Sequence, residues 1–133
     1  MKRQFKPVSI LVASFLMLAA GAALAQASGI TRTVVTRGDV SVPGREAVVV
    51  RAELAAGGQV GRHTHPGDEI SYVTEGEFQL LIDGQPPRIV KAGESFVIPA
   101  GTVHDGHNAG STAVKLIGVY VVEKGKPLAT PAP

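Results

Sequence analysis

The chain has 133 residues, with 13 Lys and Arg, 11 Asp and Glu, and a formal net charge of +2 at pH 7. This length suits a single domain, and a nearly balanced charge without a basic run gives no reason to expect nucleic acid as a partner. The absence of cysteine excludes disulfides, a cysteine-based zinc site and a thiol nucleophile. Stability must therefore come from a packed core, from subunit association or from a bound metal.

The first 25 residues have the pattern of a cleaved secretory signal peptide. A positively charged start precedes an apolar stretch over residues 8–20, and Ala23-Leu24-Ala25 is typical of a cleavage site. The alternative is an uncleaved membrane anchor, but after Leu18 the stretch is mostly Ala and Gly, less apolar than a spanning helix requires. We predict that residues 1–25 are removed and that the protein is periplasmic or secreted, without membrane contact after cleavage.

The remaining chain is predicted to be all-β. Its apolar segments are short, rich in β-branched residues and separated by Gly, Pro and Asp-Gly turns, and no stretch has a helical period. Many short strands predict a sandwich or a closed barrel. The predicted strands cover residues 33–36, 47–54, 70–74, 78–82, 88–90, 95–98, 103–108 and 113–122. The predicted divisions are an N-terminal extension (26–45) with a possible edge strand, a barrel (46–124) and a Pro-rich disordered tail (125–133).

Three of the four histidines and one glutamate have the spacing of a metal site. His63 and His65 are two residues apart, so on a strand both imidazoles point to the same side. Glu69 follows a Pro-Gly bend and can turn its carboxylate toward the same point. His104 must come from a different strand if an ion is to be enclosed. Imidazole and carboxylate groups together form a ligand set that borderline divalent metals accept.

The two segments that carry these residues resemble the two sequence motifs of the cupin superfamily. The first motif, G-x5-H-x-H-x3-E-x6-G, is matched by Gly57, His63, His65, Glu69 and Gly76. The second, G-x5-P-x-G-x2-H-x3-N, is matched by Gly93, Pro99, Gly101, His104 and Asn108. The resemblance implies a double-stranded β-helix, a jelly-roll barrel of six to eight strands that forms a homodimer. It also implies that His63, His65, Glu69 and His104 are the ligands of one divalent metal ion.

Three further polar residues are candidates for contact with a substrate or with a metal ligand. Ser71 has the same strand parity as Glu69, and Gln79 could face the cavity from the next strand. His107 has the opposite parity to His104, which favours the barrel mouth or the surface, with a proton-transfer role as the alternative. Asn108 is expected to brace a turn rather than to touch the metal.

Four protein ligands leave one or two positions open on an octahedral ion, as in catalytic rather than structural sites. Fe(II) or Mn(II) is the first expectation, and Zn(II), Ni(II) and Cu(II) also accept these ligands. The leading hypothesis is a dioxygenase-type oxidoreductase, because adjacent open positions bring a small-molecule substrate and dioxygen together. The alternatives are a non-catalytic protein that binds a metal or metabolite, a metal-dependent isomerase or decarboxylase, and a purely structural metal barrel.

Overall fold

The computed structural model describes residues 29–133 of the chain, so the predicted signal peptide lies outside the described residues. No helix that could span a membrane is found among residues 29–133. All regular elements in this range are strands: β1 (Ile30–Asp39), β2 (Arg45–Leu54), β3 (His63–Thr64), β4 (Gly67–Glu75), β5 (Glu77–Ile82), β6 (Arg88–Lys91), β7 (Ser95–Ile98), β8 (His104–His107), β9 (Val114–Glu123) and β10 (Thr130–Pro131).

These strands form two antiparallel sheets that enclose one interior. The first sheet has the strand order β1-β2-β9-β4-β7 and the second the order β10-β3-β8-β5-β6. The main cluster of buried apolar side chains draws on β2, β4, β7 and β9 of the first sheet and on β5 and β6 of the second. The prediction of an all-β jelly-roll barrel is therefore confirmed.

Alternation along the strands decides which residues enter the interior. On β2, Ala52 and Leu54 are buried while Arg51 and Glu53 are exposed, because successive side chains of a strand point to opposite faces. Complete burial of an apolar side chain contributes about 1.5–3 kcal/mol to the free energy of unfolding. The β-branched residues of the long strands thus favour the strand conformation, and their alternation with polar residues places apolar side chains in the core.

The described chain contains ten strands, more than the six to eight that the resemblance implied. All eight strands predicted from the sequence are present, and the weak first one, residues 33–36, is part of the ten-residue edge strand β1. The two missed strands, β3 and β10, have only two residues each. Their sequences, His-Thr and Thr-Pro, carry no apolar alternation that could have revealed them.

The structure also differs from the expectation that residues 125–133 are disordered. Thr130 and Pro131 pair with β3, the backbone N–H of Ala132 donates to the carbonyl of Arg62 over 3.0 Å, and Leu128 packs on the small buried cluster Val48, Val50 and Val122. A Pro-rich sequence is compatible with this position because β10 is an edge strand, where a residue without an N–H group is tolerated.

Candidate metal centre

The four predicted ligands meet inside the barrel. His63 is the first residue of β3 and pairs with His104, the first residue of β8; both strands belong to the second sheet. His65 follows β3, and Glu69 comes from β4 of the first sheet. One potential ligand atom of each residue lies within 4.8 Å of those of the other three. The motif spacing therefore brings together, across the two sheets, the residues it singled out.

The atoms that face one another are three ring nitrogens and one carboxylate oxygen. The Nε2 atoms of His63 and His65 are 3.1 Å apart. Glu69 Oε2 lies 3.0 Å from His65 Nε2 and 3.1 Å from His104 Nε2. Two ligand atoms at right angles on an ion with bonds of about 2.1 Å are about 3.0 Å apart. These separations therefore suit neighbouring positions on an octahedral ion.

The outer nitrogen of each ring is held by a backbone carbonyl. His63 Nδ1 lies 2.7 Å from the carbonyl oxygen of Gly61, and His104 Nδ1 lies 2.9 Å from that of Thr102. His65 Nδ1 lies 2.6 Å from the carbonyl oxygen of Leu128. A carbonyl oxygen can only accept, so each Nδ1 must carry the hydrogen and donate it.

This arrangement leaves the Nε2 lone pairs of the neutral rings pointing at one another and at the Glu69 carboxylate. Lone pairs and a carboxylate oxygen at about 3 Å repel unless a cation lies between them. Backbone carbonyls behind metal-bound imidazoles are a common way to fix the tautomer and the ring orientation. The donor set and its orientation therefore fit a divalent metal ion, which His63, His65, Glu69 and His104 could hold.

Without an ion, protons on the facing ring nitrogens would take the place of the cation, and the pKa values then show the same demand for positive charge beside Glu69. Burial alone would raise the pKa of the Glu69 carboxyl, but its hydrogen bonds with His104, His65 and Ser71 outweigh burial and hold this pKa well below its usual range. Burial, together with the neighbouring imidazoles, lowers the pKa of His63 to about 4. His104 keeps a raised pKa, because its bond with Glu69 outweighs the opposing effect of burial. A buried carboxylate with a lowered pKa calls for a counter-charge.

Ser71 and Gly67 position the strand that carries Glu69. The Ser71 hydroxyl, fully buried, donates to Glu69 Oε1 over 2.7 Å, which leaves Oε2 to face the histidines. Gly67 lies so close to β9 that an added Cβ would be 2.0 Å from the carbonyl oxygen of Val121. Only glycine permits this approach of the backbones. Of the three further polar candidates from the sequence, Ser71 alone contacts a predicted ligand.

Gln79 and His107 lie elsewhere. Gln79 was a candidate for the cavity wall, but its neighbours Phe78 and Leu80 are the buried ones, so alternation turns Gln79 outward. His107 pairs with Gln79 across the β5–β8 ladder, and its Nε2 lies 3.0 Å from an oxygen of Asp105. His107 is therefore away from the predicted ligands, in agreement with its opposite parity.

Asn108 braces the chain, as expected from the sequence. Its side-chain amide nitrogen donates to the carbonyls of Leu54, Ala55 and Thr112, and its side-chain oxygen accepts from the N–H of Gly110. Together with the bond from the Gly57 N–H to the Asn108 backbone carbonyl, these contacts tie the end of β2 and the start of the first motif to the end of the second. Asn108 thus stabilises the frame of the site without entering it.

A cavity of about 420 Å³ opens beside the four predicted ligands. Its walls are mainly apolar, and Phe78 and Phe96 stack within it with ring centroids 5.6 Å apart. Pockets that combine apolar walls with a few convergent polar groups are typical small-molecule sites. The cluster could thus serve a ligand of modest size and is not enclosed by protein on every side.

Tyr120 and Arg32 contribute polar groups to this cavity and were not singled out from the sequence. The Tyr120 ring lies over Gly118, 4.7 Å from the His65 ring between centroids. Burial, aided by the Glu69 charge, raises the Tyr120 pKa, so the phenol keeps its proton. Tyr120 stands opposite Glu69 in the β4–β9 ladder and Arg32 opposite Ala52 in the β1–β2 ladder. Neither register can be read from a single sequence.

Comparison with known proteins assigns a family to the chain. The family model described as "Cupin domain" matches residues 50–122. Oxalate oxidase 1 of Hordeum vulgare is 37% identical over a 75-residue alignment, which covers 50% of this chain and 37% of that protein. The chain thus spans little more than a third of the length of this curated relative.

Solved structures extend the similarity to the fold. An oxalate oxidase in complex with the substrate analogue glycolate is 27% identical with a TM-score of 0.61, covering 92% of this chain and 69% of that one. A polyketide cyclase from Streptomyces resistomycificus, at 22% identity and a TM-score of 0.65, covers 80% of this chain and 73% of its own. At this identity the second structure bears on the fold alone.

Proposed function

The chain belongs to the cupin family, and from that premise we propose that it is an exported, metal-dependent oxidoreductase of dioxygenase type that acts on a small molecule. The observation that carries the proposal is the convergence of four potential ligand atoms beside an open, mainly apolar cavity. A structural ion would need no such space, because closed coordination by protein suffices for stability.

The proposed ligands are His63, His65, Glu69 and His104, with Fe(II) or Mn(II) as the first choice of ion and Zn(II), Ni(II) or Cu(II) as alternatives. When bound, such an ion would supply Lewis-acid chemistry and, for iron or manganese, redox chemistry next to the cavity. The protein would contribute the orientation of the ligands, mainly apolar cavity walls, and the polar groups of Tyr120 and Arg32.

The substrate class that we propose is a small organic acid. The similarity to oxalate oxidases supports this choice, and so does the cavity itself. Arg32 lines the cavity and has no ion-pair partner within residues 29–133. The Tyr120 hydroxyl, protonated and facing the same space, can donate a hydrogen bond. A guanidinium and a phenol suit a carboxylate.

The competing function is a binding protein that holds a metal or a metabolite without turnover. It is favoured because no free general base lines the cavity beside the predicted ligands within residues 29–133. Asp105, the other acidic residue on the cavity wall, accepts bonds from the N–H groups of Gly61 and Gly106 and lies 3.0 Å from His107 Nε2. An isomerase or a decarboxylase would need a proton-transferring group. The lack of a free one therefore weighs against these two activities as well.

Elemental analysis followed by oxygen-uptake measurements tests the proposal. The purified protein should carry about one divalent ion per chain, and His65→Ala and Glu69→Ala should carry none. The Fe- and Mn-loaded proteins are then offered oxalate, glycolate and other organic acids, together with catechols, diketones and flavonols. Oxygen uptake that the two variants lack supports an oxidoreductase. No uptake with any compound, alongside stoichiometric ligand binding, would establish the binding protein instead.

Export is proposed from the leader sequence. The protein recovered from the periplasm or the medium of an expressing bacterium should begin at Gln26, and intact mass spectrometry can show this. Retention of residues 1–25 in a membrane fraction would instead identify the leader as an anchor.

We further propose that a second copy of the chain covers the outer face of the first sheet. Three apolar side chains on that face, Ile70, Tyr72 and Val97, are 43%, 49% and 61% exposed, and they adjoin one another across the β4–β7 ladder. A contiguous apolar face commonly marks an interface. Light scattering should give the mass of a dimer, and Val97→Lys should give that of a monomer; equal masses for the two would refute this interface.

A further inference from the structure

Residues 126–133, which we call the strap, cross the barrel beside the predicted metal centre. The strap is held at both ends of its course: Leu128 packs against Val48, Val50 and Val122, and β10 pairs with β3. The backbone bond from Ala132 to the carbonyl of Arg62 extends the second attachment. The strap therefore has a defined path, although it adds only two residues to a sheet.

The strap supplies the hydrogen-bond partner of one predicted ligand. His63 and His104 donate their Nδ1 hydrogens to the carbonyls of Gly61 and Thr102, each two residues earlier in the chain. His65 instead donates to the carbonyl of Leu128, which is 63 residues away and 2.6 Å distant. Two of the three imidazoles are thus oriented by their own loops, and the third depends on a segment that is remote in sequence.

The strap also forms a wall of the cavity. Leu128, Ala129 and Pro131 line it together with the four predicted ligands. Their side chains are small or apolar, so they exclude water without offering a competing ligand. Exclusion of water strengthens every electrostatic interaction in the site.

We propose that the strap is a positioning element of the metal centre: its Leu128 carbonyl fixes the tautomer and ring orientation of His65, and its apolar residues close the cavity above the ligands. This inference rests on the proposed function only in that the four residues bind metal. Loss of a hydrogen-bond partner behind a ligand typically weakens metal binding by about 10- to 100-fold. We expect a loss of that size when the strap is removed.

Deletion of residues 127–133 removes the carbonyl and the cavity wall together, and deletion of residues 132–133, which spares Leu128 and β10, is the matched control. A chelator competition with Zn(II) measures the dissociation constant for each protein. The longer deletion should raise it about 10- to 100-fold, and the shorter one should change it less than threefold. Should the longer deletion fail to fold, Leu128→Glu keeps the chain length but places a charge against Val48 and Val122, which should detach the strap.

A second readout separates positioning from general stability. Nitrogen-15 NMR of the metal-free protein, at an alkaline pH that leaves the imidazoles neutral, reports which ring nitrogen carries the hydrogen. Without the strap, His65 should change from the Nδ1–H form to a mixture of tautomers, while His63 and His104 keep theirs. An unchanged His65 tautomer or unchanged Zn(II) affinity in a folded, strap-free protein would overturn the inference. If the intact protein binds no metal, the proposed function fails, while the tautomer still tests the strap.

Discussion

Substitution of Ser71 by Ala should weaken both the fold and the metal site, because this hydroxyl is the partner of a buried carboxylate. Ser71 donates to Glu69 Oε1 over 2.7 Å, and both residues are almost completely buried. A hydrogen bond to a charged group contributes about 1.5–3 kcal/mol to stability. The free energy of unfolding of the metal-free Ser71→Ala protein should fall by about this amount.

Metal affinity should fall for a related reason. Without the Ser71 hydroxyl, Glu69 Oε1 loses the partner that keeps Oε2 directed at the histidines. The Glu69 pKa also rises, since one of the bonds that lower it is gone. Residues that hold metal ligands in place typically account for about 10- to 100-fold in affinity, so we expect the dissociation constant to increase by at least about tenfold.

Chemical denaturation of the metal-free protein and a chelator competition on the folded protein measure the two effects. Thr74→Ala is the matched control: its hydroxyl lies on the same strand, is exposed and donates to the carbonyl of Lys115. Exposed substitutions of this kind usually change stability by less than about 0.5 kcal/mol. If Ser71→Ala behaved like Thr74→Ala in both assays, Ser71 would not position Glu69.

Three other predictions concern the same region. In EDTA, denaturation from pH 7 to 4 should show stability falling below about pH 6.5, because His63 then binds a proton in the unfolded chain but, with its pKa lowered to about 4, not in the fold; a flat profile would contradict this. Gly67→Ala should lower the melting temperature by several degrees in a thermal scan, since its Cβ would meet β9; Gly38→Ala, whose Cβ would meet nothing within 4 Å and whose backbone is not left-handed, is the control for added bulk at a glycine. Tyr120→Phe should retain the metal by elemental analysis but bind organic acids about tenfold more weakly in calorimetry, as expected for one lost hydrogen bond of about 1.4 kcal/mol; equal affinity would remove Tyr120 from the recognition site.

The two sequence motifs predict the four ligands because each motif depends on short-range features only. These features are the parity of residues on a strand, a bend and a fixed spacing. Tyr120 could not be found in this way. Its position opposite Glu69 depends on the register between β4 and β9, which pairs segments about 50 residues apart. The sequence identifies β9 as a strand but does not state which face turns inward. Local signals thus predict ligands, whereas cavity walls depend on long-range pairing.

Gln79 and the strap illustrate two other limits. Gln79 is flanked by Phe78 and Leu80, and this alternation, taken at face value, already predicts that the apolar pair faces inward and Gln79 outward. In residues 125–133, by contrast, composition was misleading. Proline content is typical of disorder, yet an edge strand tolerates proline equally well, and only the position of β3 decides between them.

The location of the predicted ligands has a consequence for stability as well as for chemistry. His63 and His104 belong to the second sheet and Glu69 to the first, so a bound ion would join the two sheets across an interior that is partly taken up by the cavity. The described chain cannot close this gap with a disulfide. A ligand that binds only the folded state, at a concentration about 100 times its dissociation constant, adds about 2.7 kcal/mol to the free energy of unfolding. The cavity weakens the core at the point where the metal would link the sheets, so a bound ion would contribute to the cohesion of the fold as well as to the proposed chemistry.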